Sequence, residues 1–349
     1  LNLFPWKQKK KPIFLGLVIA IVVMMAIFTY RDVEYSVALT LIIPSPAEAS
    51  MQQSRLVYYQ LMTSLFENHG FSTSFSILRY DSAQQLTSHI DRLRNARSTH
   101  VVVVYPPESY DWASAFSDKV YHANTLIIVP TLANHEPYRD RQEWIGLAPP
   151  PGRIFAALQF YFRQEDRVLW ISNTPPAYSE LQQPWDLRWF EWNPENRDLV
   201  NSIVLEFQPQ WILIDIQPNE VIFLIESIEE APNERIILSP KSTQFYMLSE
   251  SIQELRGVIG MSWAHPQKIP SLSVRWDVYP TLDVVKVLSE YYARTRSISH
   301  FLRYLEESSF SGPFEEVLFV DGYKVQPVYF IELGMGITEP LFTSVPSRF

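Results

Sequence analysis

Seven histidines (His69, His89, His100, His122, His135, His265 and His300) are the first residues to test for chemistry, and they are scattered along the chain. None stands in the H-E-x-x-H arrangement that sets two imidazoles on one helical face around a zinc ion. No G-x-S-x-G elbow, Walker-type loop or G-x-G-x-x-G turn occurs. Gly257-Val258-Ile259-Gly260 follows a helical pattern and leads into a strand, the wrong context for a dinucleotide turn. The acidic pairs Glu229-Glu230, Glu306-Glu307 and Glu315-Glu316 are immediate neighbours. On a helix such neighbours do not share a face, so they read as solvated surface and not as acid/base couples. The absence of cysteine excludes disulfides, thiolate metal sites and cysteine nucleophiles. The expectation is a chain that is not an enzyme and uses neither metal nor cofactor. What remains is binding. Asp215 and Gln217 follow the apolar run Trp211–Ile214 at its carboxyl end, where an open sheet presents polar groups to a ligand. Polar residues there are also routine loop starters.

The elements that must position such groups follow from hydrophobic period. Short β-branched runs alternate with helical patterns, the signature of parallel sheets with crossover helices. Strands are expected at Tyr35–Ile43, Phe75–Tyr80, Val101–Val104, Leu126–Val129 and Trp144–Leu147, with helices at Ala49–His69 and Ala83–Asn95. Pro149-Pro150-Pro151-Gly152 breaks the series, and it restarts. Helices are then expected at Ile154–Arg163, Asp198–Phe207 and Glu220–Glu230, with strands at Val168–Ser172, Trp211–Ile216, Ile236–Leu238 and Val258–Met261. The Pro-rich stretch His265–Pro280 reads as a second crossing. Leu282, Val285, Leu288 and Tyr292 then recur at helical spacing, and a further helix is expected at Ile298–Glu307. Asp321-Gly322, flanked by Val317–Val320 and Val328–Glu332, is a hairpin signal. The expected architecture is α/β: two Rossmann-like lobes with parallel sheets, joined by a hinge of several chain crossings. Lobe 1 is expected at 34–148 with 281–310 returning to it. Lobe 2 is expected at 149–275 with the 313–333 hairpin returning to it, and 334–349 forms a tail. A cleft between two such lobes is a natural capture site.

In this order the segments resemble the type I periplasmic binding proteins, the leucine/isoleucine/valine-receptor family of ABC transporters, over roughly Tyr35 to Leu333. Leu39–Pro44 followed by Gln52–Gly70 is similar to that family's first strand and long first helix. Asp81-Ser82-Ala83 is similar to its turn after the second strand, and Tyr279-Pro280-Thr281-Leu282-Asp283 to its tyrosine-to-aspartate helix start. Phe310-Ser311-Gly312-Pro313-Phe314 with Val317–Gly322 resembles its closing block, although Glu315 or Glu316 stands where a second glycine is usual. The resemblance implies small hydroxyl residues at two loop ends of the first lobe. Ser109 fits the first, in Tyr105–Tyr110. In the second, Pro130-Thr131-Leu132-Ala133-Asn134, Ala133 replaces the usual threonine and leaves Thr131 and Asn134 as candidates. In the second lobe Lys241 takes the place of the acid that would hold an ammonium. A lysine there repels an α-ammonium, so an ordinary zwitterionic amino acid is disfavoured. Tyr110, Trp112, Tyr178 and Trp185 are aromatic candidates for stacking on a ligand, with core packing as the ordinary alternative.

Composition sets the remaining bounds. An apolar fraction of 47% supports real cores, and a net charge of −9 argues against nucleic acid as a partner. Ile13 to Thr29 carries no charge and follows Lys7, Lys9, Lys10 and Lys11. At about 1.5 Å per residue the run spans roughly 26 Å, close to a bilayer core. No small-x-small site follows it closely, so residues 13–30 read as an uncleaved transmembrane signal-anchor rather than a removed signal. Residues 1–12 would then be a cytoplasmic basic tail, with the bulk of the chain extracytoplasmic in a single-pass arrangement. The sequence-based expectation is a membrane-anchored solute-binding protein that takes a small polar ligand. An ABC permease or a membrane sensor would read the closed state. The alternative is a degenerate binding-protein domain serving as a non-catalytic interaction or sensor module.

Overall fold

The computed structural model describes residues 36–45, 49–96, 98–107, 124–131, 144–148, 151–175, 185–228, 235–243, 254–263, 275, 277–320, 323–325, 327–334 and 342–344. Parallel pairing governs the first half. β1 (Ser36–Pro44) lies between β2 (Ser72–Tyr80) and β3 (Thr99–Val104), and β4 (Thr125–Val129) and β5 (Trp144–Gly146) continue the sheet. Val101 to Val104 are buried on both faces, as the unbroken valine run requires of a central parallel strand. The helices α1 (Ala49–Glu67) and α2 (Ala83–Arg94) supply the crossovers.

Chain direction repeats in a second sheet after α3 (Pro151–Tyr161). β6 (Arg167–Ser172), β7 (Asp186–Glu191), β8 (Trp211–Asp215), β9 (Ile236–Leu238) and β10 (Ile259–Ser262) pair in parallel, with α4 (Arg197–Phe207) and α5 (Pro218–Ile225) between them. The strand β7 escaped the sequence reading. Its charged Asp186, Arg188 and Glu191 mask the apolar signal, because it is a half-exposed edge strand.

Returning segments complete both sheets. The helix α6 (Val278–Thr295) packs back on α1, burying the expected Leu282, Val285, Leu288 and Tyr292. Tyr292 meets Phe66 and Phe71 at ring distances of 6.3 and 4.9 Å. After α7 (Phe301–Glu307), the short pair β11 (Phe310–Ser311) and β12 (Glu316–Val317) forms. Next, β13 (Phe319–Val320) and β14 (Tyr323–Lys324) pair antiparallel and join the first sheet, with Tyr323 beside Gly146. In contrast, β15 (Val328–Glu332) joins the second sheet antiparallel to β10, and β16 (Phe342–Ser344) closes it antiparallel to β15. The two runs that flank Asp321-Gly322 thus separate into different sheets. Two seven-stranded sheets result, in the orders β13-β14-β5-β4-β3-β1-β2 and β16-β15-β10-β9-β8-β6-β7. One buried apolar cluster runs through both, from Leu39 and Val103 to Ile214 and Leu238.

The membrane-spanning helix expected over 13–30 is corrected. That run and the tail 1–12 lie outside the described residues, and among the described residues no helix is long and apolar enough to cross a membrane. The two longest helices show why. α1 carries Arg55 and Glu67, and α6 carries Asp283, Lys286, Glu290 and Arg294. A central Asp, Lys or Arg opposes insertion by about 2.5–3.5 kcal/mol each. The transmembrane element of the fold class, attachment through an N-terminal helix, and the single-pass, extracytoplasmic placement accordingly drop out of the reading.

Candidate functional site

Open parallel sheets bind ligands beyond the carboxyl ends of their strands. In the first lobe, β3 leads directly into Tyr105, which is buried. Its hydroxyl donates to Asp277 Oδ1 at 3.0 Å and lies 2.7 Å from the Tyr58 hydroxyl of α1. Tyr58 also donates to Thr281 Oγ1 at 3.2 Å. Arg275 grips the Asp277 carboxylate through Nη2 at 2.8 Å and Nε at 3.2 Å, and its guanidinium stands 5.1 Å from the centre of the Tyr105 ring. The Arg275 backbone N–H donates to Ser54 Oγ, and Tyr80 donates to the Tyr105 carbonyl. Burial and the nearby Asp277 carboxylate push both tyrosine hydroxyls far above their ordinary range, so they remain donors. This end of the first sheet is closed by the chain's own groups.

One strand further on, Thr131 follows β4 by two residues, and its buried Oγ1 has no hydrogen-bond partner among the described residues. At the neighbouring end of β5, Leu147 and Ala148 are both apolar and buried.

The second lobe gathers hydroxyls at the ends of β8 and β9. Ser239 Oγ donates to Asp215 Oδ1 at 2.6 Å. Ser242 Oγ accepts from the Ile216 N–H and donates to the Ile216 carbonyl, both at 2.9 Å. Thr243 Oγ1 donates to the Ser239 carbonyl and accepts from the Met261 N–H, tying the same loop to β10. Lys241 sits half-buried within this knot. Gln217 is exposed at the start of α5, ahead of Pro218. At the end of β7, Trp192 is buried and donates to Glu220 Oε2 at 2.7 Å.

Among the sequence candidates, Thr131 thus stands on the first rim, while Asp215, Gln217 and Lys241 share the second. Ser109, Tyr110, Asn134 and Tyr178, with Trp112, lie outside the described residues. Trp185 is a core residue, packed against Phe155 and Phe162 at 5.3 Å, and is not a stacking platform. Sequence reasoning missed Tyr58, Tyr105, Arg275, Asp277 and Ser239. The available signal was a pair of opposite charges, Arg275 and Asp277, two residues apart in the Pro-rich crossing.

A second buried charge cluster lies away from the rims. Lys324 Nζ is 3.6 Å from both Asp283 and Glu315, and Asp283 accepts from the Phe314 and Glu315 N–H groups. Burial pushes the Asp283 carboxyl up to about 6. Among the described residues no group of three or more His, Asp or Glu could hold a metal ion.

No protein-family model matches the chain, and no curated protein matches it in sequence. Solved structures do share its fold. A leucine-binding protein from Thermotoga maritima MSB8 superposes with a TM-score of 0.64 at 14% identity, over 90% of this chain and 99% of that one. A type 1 periplasmic binding protein from Bordetella pertussis Tohama I gives 0.63 at 12% identity, over 88% and 100%. An extracellular ligand-binding receptor from Desulfohalobium retbaense DSM5692 gives 0.60 at 13% identity. This chain covers 90% of itself in that alignment and spans 59% of that receptor's length. The chain therefore has the two-lobed α/β fold of the type I periplasmic and ABC-transporter solute-binding proteins.

Proposed function

We propose that this chain is a solute-binding receptor that captures a small polar ligand between its two lobes by hinge closure. The observation that carries the reading is Thr131, whose buried hydroxyl, at the carboxyl end of β4, lacks a partner among the described residues. A buried polar group left unpaired costs about 1–3 kcal/mol, which a ligand atom arriving there would recover. Asp215, Gln217 and Lys241 supply the opposing rim. Ser109, Tyr110, Asn134 and Tyr178 belong to the same proposal through the sequence resemblance. The division into lobes at 34–148 and 149–275, with the later segments returning, frames it.

Within the fold, the proposed branch is that of the leucine/isoleucine/valine receptors, with a divergent ligand site. Lys241 disfavours an α-ammonium and suits a ligand that presents an anionic or neutral acceptor to the second lobe. An ABC permease or a sensor protein would read the closed state, because the ligand stabilises closure only through its differential contacts with that state.

Screening by thermal shift tests the proposal. A ligand at 100 times its dissociation constant adds about 2.7 kcal/mol of stability. A second reading, a non-catalytic interaction or sensor module, is favoured by one observation: Tyr58, Tyr105, Arg275 and Asp277 bond to one another at the end of β3. A library that produces no shift, with no closure visible by small-angle scattering, would select that reading instead.

A further inference from the structure

We infer that the chain forms a two-fold dimer through the free edge of β2 and the adjoining side of α1, joining the two first-lobe sheets into one. This goes beyond ligand capture and does not depend on it. β2 is the last strand of its sheet, with no strand beyond it among the described residues. Exposed edges are normally guarded by charge, proline or a bulge. Here residues 70–78 carry no charged side chain, and neither do residues 56–66 of the helix beside them.

Tyr59 of α1 meets Phe75 of β2 edge-on at 5.5 Å, and Thr73 Oγ1 donates to Glu67 Oε1 at 2.8 Å. One side of α1 therefore lies over the odd-numbered side chains of β2. Leu56, nearly one turn before Tyr59, and Ile77, the next odd position after Phe75, extend the same strip. Leu56 is 62% exposed, Tyr59 53% and Ile77 38%.

The occupant is a second copy because the strip is self-complementary. The Tyr80 carbonyl accepts from Ser45 N on the β1 side, so by alternation the backbone groups of Thr73, Phe75 and Ile77 point outward. His89 Nε2 lies 2.9 Å from the Arg79 carbonyl and caps the far end. Antiparallel pairing of two β2 strands about Ser76 sets Phe75 of each copy opposite Ile77 of the other. It also sets Thr73, and Glu67 bonded to it, opposite Arg79 of the other copy. Acid meets base at both ends, and the uncharged centre is where two chains of net charge −9 can approach. The strand is about 30 Å long and the helix about 28 Å. Covering a strip about 20 Å wide would bury roughly 600 Å² per copy, or about 1,200 Å² in all, at the lower bound of stable interfaces.

The test uses the full chain in analytical ultracentrifugation from about 1 to 100 μM. A dimer is expected, and Ile77→Lys should raise its dissociation constant at least 100-fold while leaving the melting temperature within a few degrees. Glu67→Arg should weaken association about tenfold, and Arg79→Glu added to it should restore it. The chain has no cysteine, so Ser76→Cys should form one oxidised species, a dimer bridged at the two-fold axis. A monomer across the whole range would overturn the inference. So would an association indifferent to Ile77→Lys, which would arise elsewhere, the apolar run 13–29 included. Failure of the Glu67/Arg79 exchange together with absence of the Ser76→Cys bridge would overturn the pairing about Ser76.

Discussion

The Thr131 hydroxyl and the Asp283 carboxylate are two buried polar groups with opposite circumstances. The Thr131 hydroxyl has no partner among the described residues, so Thr131→Val removes an unsatisfied group while keeping the shape. The empty protein should gain about 1 kcal/mol in denaturant melts, and any ligand-induced thermal shift should fall sharply. Loss of stability in the empty variant would show that the hydroxyl has a protein partner after all. Asp283 has partners in excess of room: it shares Lys324 with Glu315, and burial holds its carboxyl at about 6. The folded state therefore keeps a proton that the unfolded chain releases at ordinary carboxylate pH. Stability from this group is greatest below the unfolded value and is lost as pH rises through about 6. The span corresponds to on the order of 2–3 kcal/mol. Urea melts between pH 4 and 7 should show this decline, and Asp283→Asn should flatten it.

Closing the loop after β11 depends on Gly312. A Cβ there would run into Asp283 Oδ1 and come within 2.5 Å of the Glu315 carbonyl. Gly312→Ala should cost at least about 2 kcal/mol, read as a lowered denaturation midpoint. Among the elements, legibility in the sequence followed burial. The all-valine β3 and the i, i+3 and i+4 apolar spacing of α6 were readable because sheet and helix cores impose them. The strand β7 was not, since an edge strand with one wet face carries Asp186, Arg188 and Glu191. The separation of β14 from β15 was not legible either, because local turn chemistry carries no information about which sheet each strand joins. At the rims, Asp215 could be placed from the end of its strand. Its partner Ser239 belongs to the loop of a neighbouring strand, and no local pattern relates the two.

At the scale of the whole molecule, any closing motion must be absorbed where the chain passes between sheets. It crosses from β5 to α3, returns between β10 and α6, and leaves again between β14 and β15. The second of these passages is fastened to the first lobe by Arg275 and Asp277. The Asp277 side chain is 1% exposed and bound by two different groups, Arg275 and Tyr105. A buried ion pair of this kind adds little net stability compared with apolar residues, but breaking it leaves a stranded charge. Asp277→Ala should therefore cost about 3–5 kcal/mol, because the Arg275 guanidinium loses the carboxylate it is paired with inside a buried site. Replacing both, as Arg275→Met with Asp277→Leu, should recover much of that loss despite the acceptor removed from Tyr105. If the passage is the fixed side of the hinge, the double variant should also bind ligand more weakly than its restored stability would suggest. The first-lobe rim would no longer be held in register with the second. Denaturant melts and ligand titrations on the wild type, the single variant and the double variant separate these effects. Equal destabilisation of the single and double variants would mean that Tyr105, and not the charge pair, fastens the crossing.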